Sequence, residues 1–276
     1  MDATATSTAT ADDLTGTVAE PATRTTATAD DLTGTVAIVT GASRGFGRAI
    51  SAALIGAGAR VVGVARDRAA LAETAEALGE LFTPHAADAA DLALPGRVID
   101  AYRPGLIVLN AGTRPLPRAL HQLTWEVFSE PWNTDVRQAF AWNREALLAP
   151  LDPGSTVISI SSRAALGGSP LSGGYAGAKA AVRFVAGYAA DESERAGLGI
   201  RFLSLLPDLT DATGLGAAAV AGYARRLGVD VEEFRRRRGP QLAPEQVGRA
   251  ILDLARGKGQ NGSAHSVTAE AFEQLG

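Results

Sequence analysis

The sequence predicts an α/β protein: a single doubly wound parallel sheet with helices on both faces. Three observations predict it. From Thr33 onward, short β-rich runs alternate with alanine-rich stretches of helical character. The runs are continuously apolar rather than alternating, as strands covered on both faces must be. At 276 residues, 46% hydrophobic and 20% charged, the chain has material for one large core.

The first strand is expected at 35–40 (TVAIVT) and the second at 60–65 (RVVGVA), with a weaker candidate at 81–87. Further strands are expected at 105–110 (LIVLNA), 155–161 (STVISIS) and 200–206 (IRFLSLL). Helical segments such as 46–57, 68–79 and 174–195 lie between them, and crossovers of this kind are right-handed. After the sixth strand the rhythm breaks. Residues 208–242 carry DLTDATGLG and a helical patch with Arg235–Arg238. An insertion there is expected to form a lid over a ligand site. The four arginines are expected on a solvated helix face, and Trp125, Trp132 and Trp142 to pack.

Ahead of the sheet, TATADDLTGTVA occurs at 8–19 and again at 26–37. Only the second copy runs into a strand. Residues 1–31 therefore read as a low-complexity, disordered leader to a catalytic domain spanning 32–276.

Composition excludes several classes. A net charge of −4 offers no basic field for nucleic acid or anionic lipid. The absence of cysteine removes disulfides and thiolate metal sites and fits a cytoplasmic protein. His85, His121 and His265 lack metal-ligand spacing, so no metal is expected. The first residues lack the basic and apolar regions of a secretory signal, and nothing approaches the roughly 18 apolar residues of a membrane span.

The segment Thr40-Gly41-Ala42-Ser43-Arg44-Gly45-Phe46-Gly47 follows the first strand and opens a helix. A pyrophosphate placed there meets unpaired N–H groups and the positive end of the helix dipole. Side chains at Gly41, Gly45 and Gly47 would obstruct the turn, the phosphate or the helix–strand contact. Its position at the first strand-to-helix junction makes it the expected first βα turn of a dinucleotide-binding fold. Tyr175 and Lys179, four apart in a helical stretch, share a face. A phenol with a pKa near 10 is a poor acid–base at neutral pH. A nearby ammonium would favour its phenolate. Lysine occurs only at 179 and 258, so its use here, where arginine would not substitute, is informative.

TGASRGFG resembles the cofactor loop of the short-chain dehydrogenase/reductase family, with GxxxGxG spacing. Asn110-Ala111-Gly112 resembles the family's NAG motif, and Ser162, Tyr175 and Lys179 match its Ser, Tyr-x-x-x-Lys constellation in order and spacing. The resemblance runs from about Leu32 to about Val267. It implies a dinucleotide held by Gly41, Ser43, Arg44, Gly45, Phe46, Gly47, Arg66, Asp88, Asn110, Ala111, Gly112, Tyr175, Lys179, Pro207 and Thr210. Asp88 would meet the adenine edge and Asn110 the adenosine ribose region. Ala65 stands where NAD-selective members carry an acid, and Arg66 follows; with Arg44 it favours NADP(H) over NAD(H).

In the same comparison Tyr175 exchanges the proton, Lys179 tunes it and Ser162 positions the substrate oxygen. Ser161 competes for the last role, and strand alternation lets only one of them face the site. The family's asparagine falls on Asp135, with Asn133 two positions away. Either the helix is irregular there, or Asp135 takes the role and partly cancels the pull of Lys179 on Tyr175. Pro207-Asp208 replaces the usual Pro-Gly, and neither Thr210 nor Thr213 aligns cleanly. The implied function is reversible ketone/alcohol conversion on a small molecule by a homodimer or homotetramer. A redox-neutral isomerase, dehydratase or cyclase using Asp135 and Asp208, or a non-catalytic nucleotide-binding protein, is the alternative.

Overall fold

The computed structural model describes residues 31–276. The expected leader at 1–31 therefore lies, but for Asp31, outside the described residues. Strands β1 (Val36–Thr40), β2 (Arg60–Ala65) and β3 (Phe82–Ala86) alternate with helices α1 (Gly45–Gly56), α2 (Arg68–Leu78) and α3 (Leu94–Tyr102). β4 (Leu106–Leu109) leads to α4 (Trp125–Pro131), a π-helical turn at Trp132–Val136, and α5 (Arg137–Leu148). β5 (Thr156–Ile160), a short α6 (Ala164–Gly167), α7 (Gly174–Arg195) and β6 (Arg201–Pro207) follow. The chain closes with α8 (Gly214–Leu227), α9 (Val231–Arg238), α10 (Pro244–Ala255), β7 (Ala264–Val267) and β8 (Phe272–Leu275).

All eight strands join one sheet in the order β3-β2-β1-β4-β5-β6-β7-β8. Every pairing is parallel except β7 with β8. The doubly wound parallel sheet is the one expected, extended at its edge by one antiparallel strand. Neither β7 (AHSV) nor β8 (FEQL) is long or apolar enough to stand out as a strand in the sequence.

Side-chain alternation divides the core. Ala37, Val39, Val61, Val108, Ile158 and Leu203 face one layer, against Ile50 and Leu54 of α1 and Ile251 and Leu254 of α10. Ile38, Val62, Ile107, Val157 and Phe202 face the other, against Val98 of α3, Trp142 of α5 and Ala189 of α7. Both faces of the sheet are thus covered, which is why its strands are apolar throughout. Trp142 is fully buried and donates its indole N–H to the Ala89 carbonyl at 3.0 Å. Trp125 and Trp132 do not pack as expected: they are 71% and 43% exposed. Trp125 instead stacks on Phe128 within its own short helix, because α4 presents only Pro131 to the core.

The sheet builds outward from β1 through β2 to β3 on one side and from β4 onward on the other, so strand order reverses between β1 and β4. Ligands of open α/β sheets bind in the crevice beyond the carboxyl ends of such a pair.

Candidate active site

A cavity of about 710 Å³ opens beyond the carboxyl ends of the strands, within the roughly 300–1,000 Å³ usual for ligand sites. One of its walls is the turn after β1. Gly41 has φ +67°, and a Cβ on Gly47 would stand 2.1 Å from the Gly41 carbonyl oxygen. The turn closes this tightly only with glycine at both positions. Thr40 and Asn110 tie it to β4. The Thr40 hydroxyl accepts from the backbone N–H of Asn110 and of Ala111, while the Asn110 amide donates to the Thr40 carbonyl at 2.9 Å. Asn110 thus spends its amide nitrogen on holding the glycine turn.

Gly41, Ser43, Arg44, Gly45, Phe46, Arg66, Asp88, Asn110, Ala111 and Gly112 line this side. Gly47 lies behind the turn, buried. Arg44 and Arg66 are exposed at the lip, and neither forms an ion pair among the described residues. Asp67, the neighbour that could have neutralised Arg66, caps α2 by accepting from the Ala70 N–H at 3.1 Å. Two unpaired guanidiniums beside a glycine turn and a helix N-terminus fit a phosphorylated dinucleotide.

The opposite wall carries Ser162, Tyr175 and Lys179. Helix α7 sets Tyr175 and Lys179 one turn apart, and the Lys179 Nζ stands 5.7 Å from the centre of the Tyr175 ring. Ser162, just past β5, accepts from the Ala164 N–H at 3.2 Å and stands on the Tyr175 side of the cavity, where its hydroxyl favours the phenolate. Ser161 points the other way: it is buried and donates to the Lys179 carbonyl at 2.7 Å. The alternation of the strand end therefore turns Ser162 toward the tyrosine.

The π-helical turn decides between Asn133 and Asp135. Pro131 offers no N–H, and past it the backbone widens until the Arg137 N–H reaches the Trp132 carbonyl. Asp135 turns inward and is 1% exposed, whereas Asn133 is exposed. The Asp135 Oδ2 lies 3.0 Å from the Lys179 Nζ, and its Oδ1 accepts from the Thr113 N–H at 2.8 Å. Gly112 permits this approach, since a Cβ there would sit 3.0 Å from Oδ2. Lys179 also donates to the Ile160 carbonyl at 3.0 Å.

Burial pushes the Tyr175 phenol above its ordinary value of 10.0. The Lys179 ammonium pulls it down, the Asp135 carboxylate pushes it up again, and the Ser162 hydroxyl favours the phenolate; the net direction is upward. For Lys179, burial works against the charge. The charges of Asp135 and Tyr175, with the Asp135 hydrogen bond, outweigh it and hold the ammonium above its ordinary range.

Residues 207–223 form the remaining wall, through Pro207, Asp208, Thr210, Thr213 and Tyr223. Thr210 is buried, its hydroxyl accepting from the Ala212 N–H, and Thr213 caps α8. Asp208, standing in place of glycine, meets Arg163 at 3.6 Å and Arg238 at 2.8 Å. Arg235 pairs with Asp211 and Glu232, while Arg236 and Arg237 pair with Glu233. The arginine run is thus only half a solvated face, because its first and last members fasten α9 to the loop after β6. Arg114, Ser172 and Tyr223 line the cavity without having been singled out in the sequence. They lie in segments of generic composition, and no local signal marks them. Among the described residues no group of three or more His, Asp or Glu could hold a metal ion. No described helix is long and apolar enough to cross a membrane.

Residues 35–224 match a family model described as short chain dehydrogenase. An uncharacterized short-chain type dehydrogenase/reductase of Sinorhizobium fredii is 31% identical over 172 residues, 62% of this chain and 68% of that protein. The short-chain dehydrogenase/reductase FrzI of Cladobotryum sp is 36% identical over 155 residues, 53% of this chain and 59% of its own length. Among solved structures, the 3-ketoacyl-(acyl-carrier-protein) reductase of Brucella melitensis, complexed with NADH, is similar with a TM-score of 0.72. Identity is 24%, over 87% of this chain and 98% of that one, so this likeness is one of fold.

Proposed function

The chain belongs to the short-chain dehydrogenase/reductase family, and from that premise we propose an NADP(H)-dependent oxidoreductase that interconverts a ketone and a secondary alcohol. The observation that carries this reading is the convergence of Ser162, Tyr175 and Lys179 in one cavity, facing a glycine turn. When bound, the nicotinamide supplies or accepts the hydride. Ser162 holds the substrate oxygen, Tyr175 gives or takes its proton, and Lys179 steadies the charge on Tyr175. NADP(H) is preferred over NAD(H) because Arg44 and Arg66 are unpaired at the lip and β2 ends on Ala65 rather than on an acid. Pro207 and Thr210 border the nicotinamide end, and Asp88 the adenine end.

Residues 208–242 act as the lid of a catalytic domain spanning 32–276, braced internally by the Arg238–Asp208 and Arg235–Asp211 pairs and tied to the loop after β5 by Asp208–Arg163. Substrates are small carbonyl compounds or alcohols, handled in the cytoplasm. A homodimer or homotetramer would cover Phe140, Phe184 and Tyr188, which stand exposed on α5 and α7. The redox-neutral alternative needs Asp135 or Asp208 as a free acid–base group, and both are engaged in ion pairs.

The test supplies NADPH with a panel of ketones and follows nicotinamide absorbance. Consumption of NADPH that Tyr175→Phe abolishes, with cofactor binding retained, is the expected result. Binding without consumption across the panel would overturn the oxidoreductase reading.

A further inference from the structure

We infer that Asp135, paired with Lys179 at 3.0 Å, is a positioning residue that weakens the pull of Lys179 on Tyr175 and so favours the phenol over the phenolate, poising the site for carbonyl reduction rather than alcohol oxidation. The inference rests on the oxidoreductase reading above and deepens it.

The geometry is a buried ion pair beside a half-buried phenol. Asp135 and Lys179 are 1% and 6% exposed at the side chain and 3.0 Å apart, so water does not screen them from each other, while Tyr175 faces the cavity. A lone ammonium 5.7 Å from a phenol ring would stabilise the phenolate. The Asp135 carboxylate beside it offsets part of that pull, though the Lys179 charge still acts on the phenol more strongly than the Asp135 charge does. The Asp135 carboxylate is fixed independently of Lys179 by the Thr113 N–H, and Lys179 independently of Asp135 by the Ile160 carbonyl. Neither charge is free to swing away.

Other charged and titratable groups lie around the phenol. Asp208 at the end of β6 is balanced by Arg163 and Arg238. Arg114 after β4, Arg44 on the glycine turn and Tyr223 on α8 line the same cavity. Of all these, Lys179 and Asp135 are the two whose charges act on Tyr175, in opposite directions.

In the reductive direction two electrons reach the carbonyl carbon as hydride from the reduced dinucleotide. The C=O π bond breaks, a C–H and an O–H bond form, and the O–H proton leaves Tyr175, which is later reprotonated from solvent. Reduction therefore needs phenol, and oxidation of the alcohol needs phenolate. A phenol held above its ordinary range is fully loaded for reduction across neutral pH. The phenolate fraction available for oxidation rises about tenfold per pH unit toward the alkaline side. Asp135 leaves the reaction equilibrium untouched; it sets the pH at which each direction has its acid or base.

The test has two arms. Titrating the tyrosinate absorbance of the wild type minus that of Tyr175→Phe reads the phenol directly, without substrate or turnover. The expected result is ionisation above the ordinary tyrosine range, and ionisation of Tyr175 near neutrality would overturn the proposal. In Asp135→Asn the same titration is expected to move down by about one pH unit. The alkaline limb of NADPH-dependent reduction should move down with it, and alcohol oxidation near pH 7 should rise several-fold. A shift of zero, or upward, in a variant whose thermal unfolding shows it folded would also overturn it. If the wild-type phenol titrates high while no ketone is reduced, the oxidoreductase reading fails instead.

Discussion

The Asp135 Oδ2 and the Lys179 Nζ stand 3.0 Å apart, and both side chains are almost wholly removed from solvent. A buried pair of this kind adds little net stability, but removing one partner strands the other as an uncompensated charge. Lys179→Met is expected to destabilise the fold by about 3–5 kcal/mol in urea unfolding. Lys179→Met with Asp135→Leu should recover most of that loss while remaining inactive. Equal, additive losses would show that the two do not interact.

The same pair dictates an alkaline limit. Lys179 and Tyr175 both bind their protons more tightly in the folded state. Their contribution to stability is complete below the ordinary values of 10.5 and 10.0 and is lost as pH rises through the higher folded values. Thermal unfolding between pH 7 and 9 should be unaffected by this pair. A steep fall is expected only above about pH 10, and it should be blunted in Lys179→Met, Asp135→Leu.

The two serines after β5 should separate cleanly. Ser162→Ala is expected to lower kcat by about 100-fold or more with little change in stability. Ser161→Ala, which loses its hydrogen bond to the Lys179 carbonyl, should cost about 1 kcal/mol of stability and leave kcat within a few-fold. Steady-state kinetics beside urea unfolding of both variants distinguishes the roles, and interchanged effects would reverse the assignment.

Cofactor preference should reside in the two lip arginines. Arg44→Ala and Arg66→Ala are each expected to weaken NADPH binding by roughly tenfold to a hundredfold, the worth of a charge-assisted phosphate bond. NADH binding should be nearly unchanged, and fluorescence titration reads both. Equal weakening toward both cofactors would remove the basis for the preference.

Gly47→Ala should fail more completely. The added methyl would meet the Gly41 carbonyl at 2.1 Å and the Asn110 amide at 2.7 Å, and both are fixed to the β1–β4 junction. Overpacking of a rigid contact costs roughly 1–3 kcal/mol. Here it would also deform the glycine turn, so cofactor binding should be lost at temperatures where the variant is still folded.

Much of this was legible in the linear chain. The apolar strands, the glycine turn after β1 and the Tyr175–Lys179 spacing are local patterns, set by pleat, helix pitch and the steric permissiveness of glycine. Tertiary contacts decided the rest. Whether Asn133 or Asp135 faces Lys179 depended on a π-helical turn whose extra backbone residue no side-chain pattern marks. The turning of Ser161 into α7 and of Ser162 toward Tyr175 depended on which face of β5 that helix covers. The freedom of Arg66 depended on Asp67 being spent on α2, and the fastening of α9 on Asp208 and Asp211 lying within its reach. The sequence by itself determined the family and the spacing of the candidate reacting groups, because these rest on short-range pattern. Only the tertiary structure decided how their charges combine, because Coulomb energy depends on distance and burial, and residues 135 and 179 become neighbours only when the chain has folded.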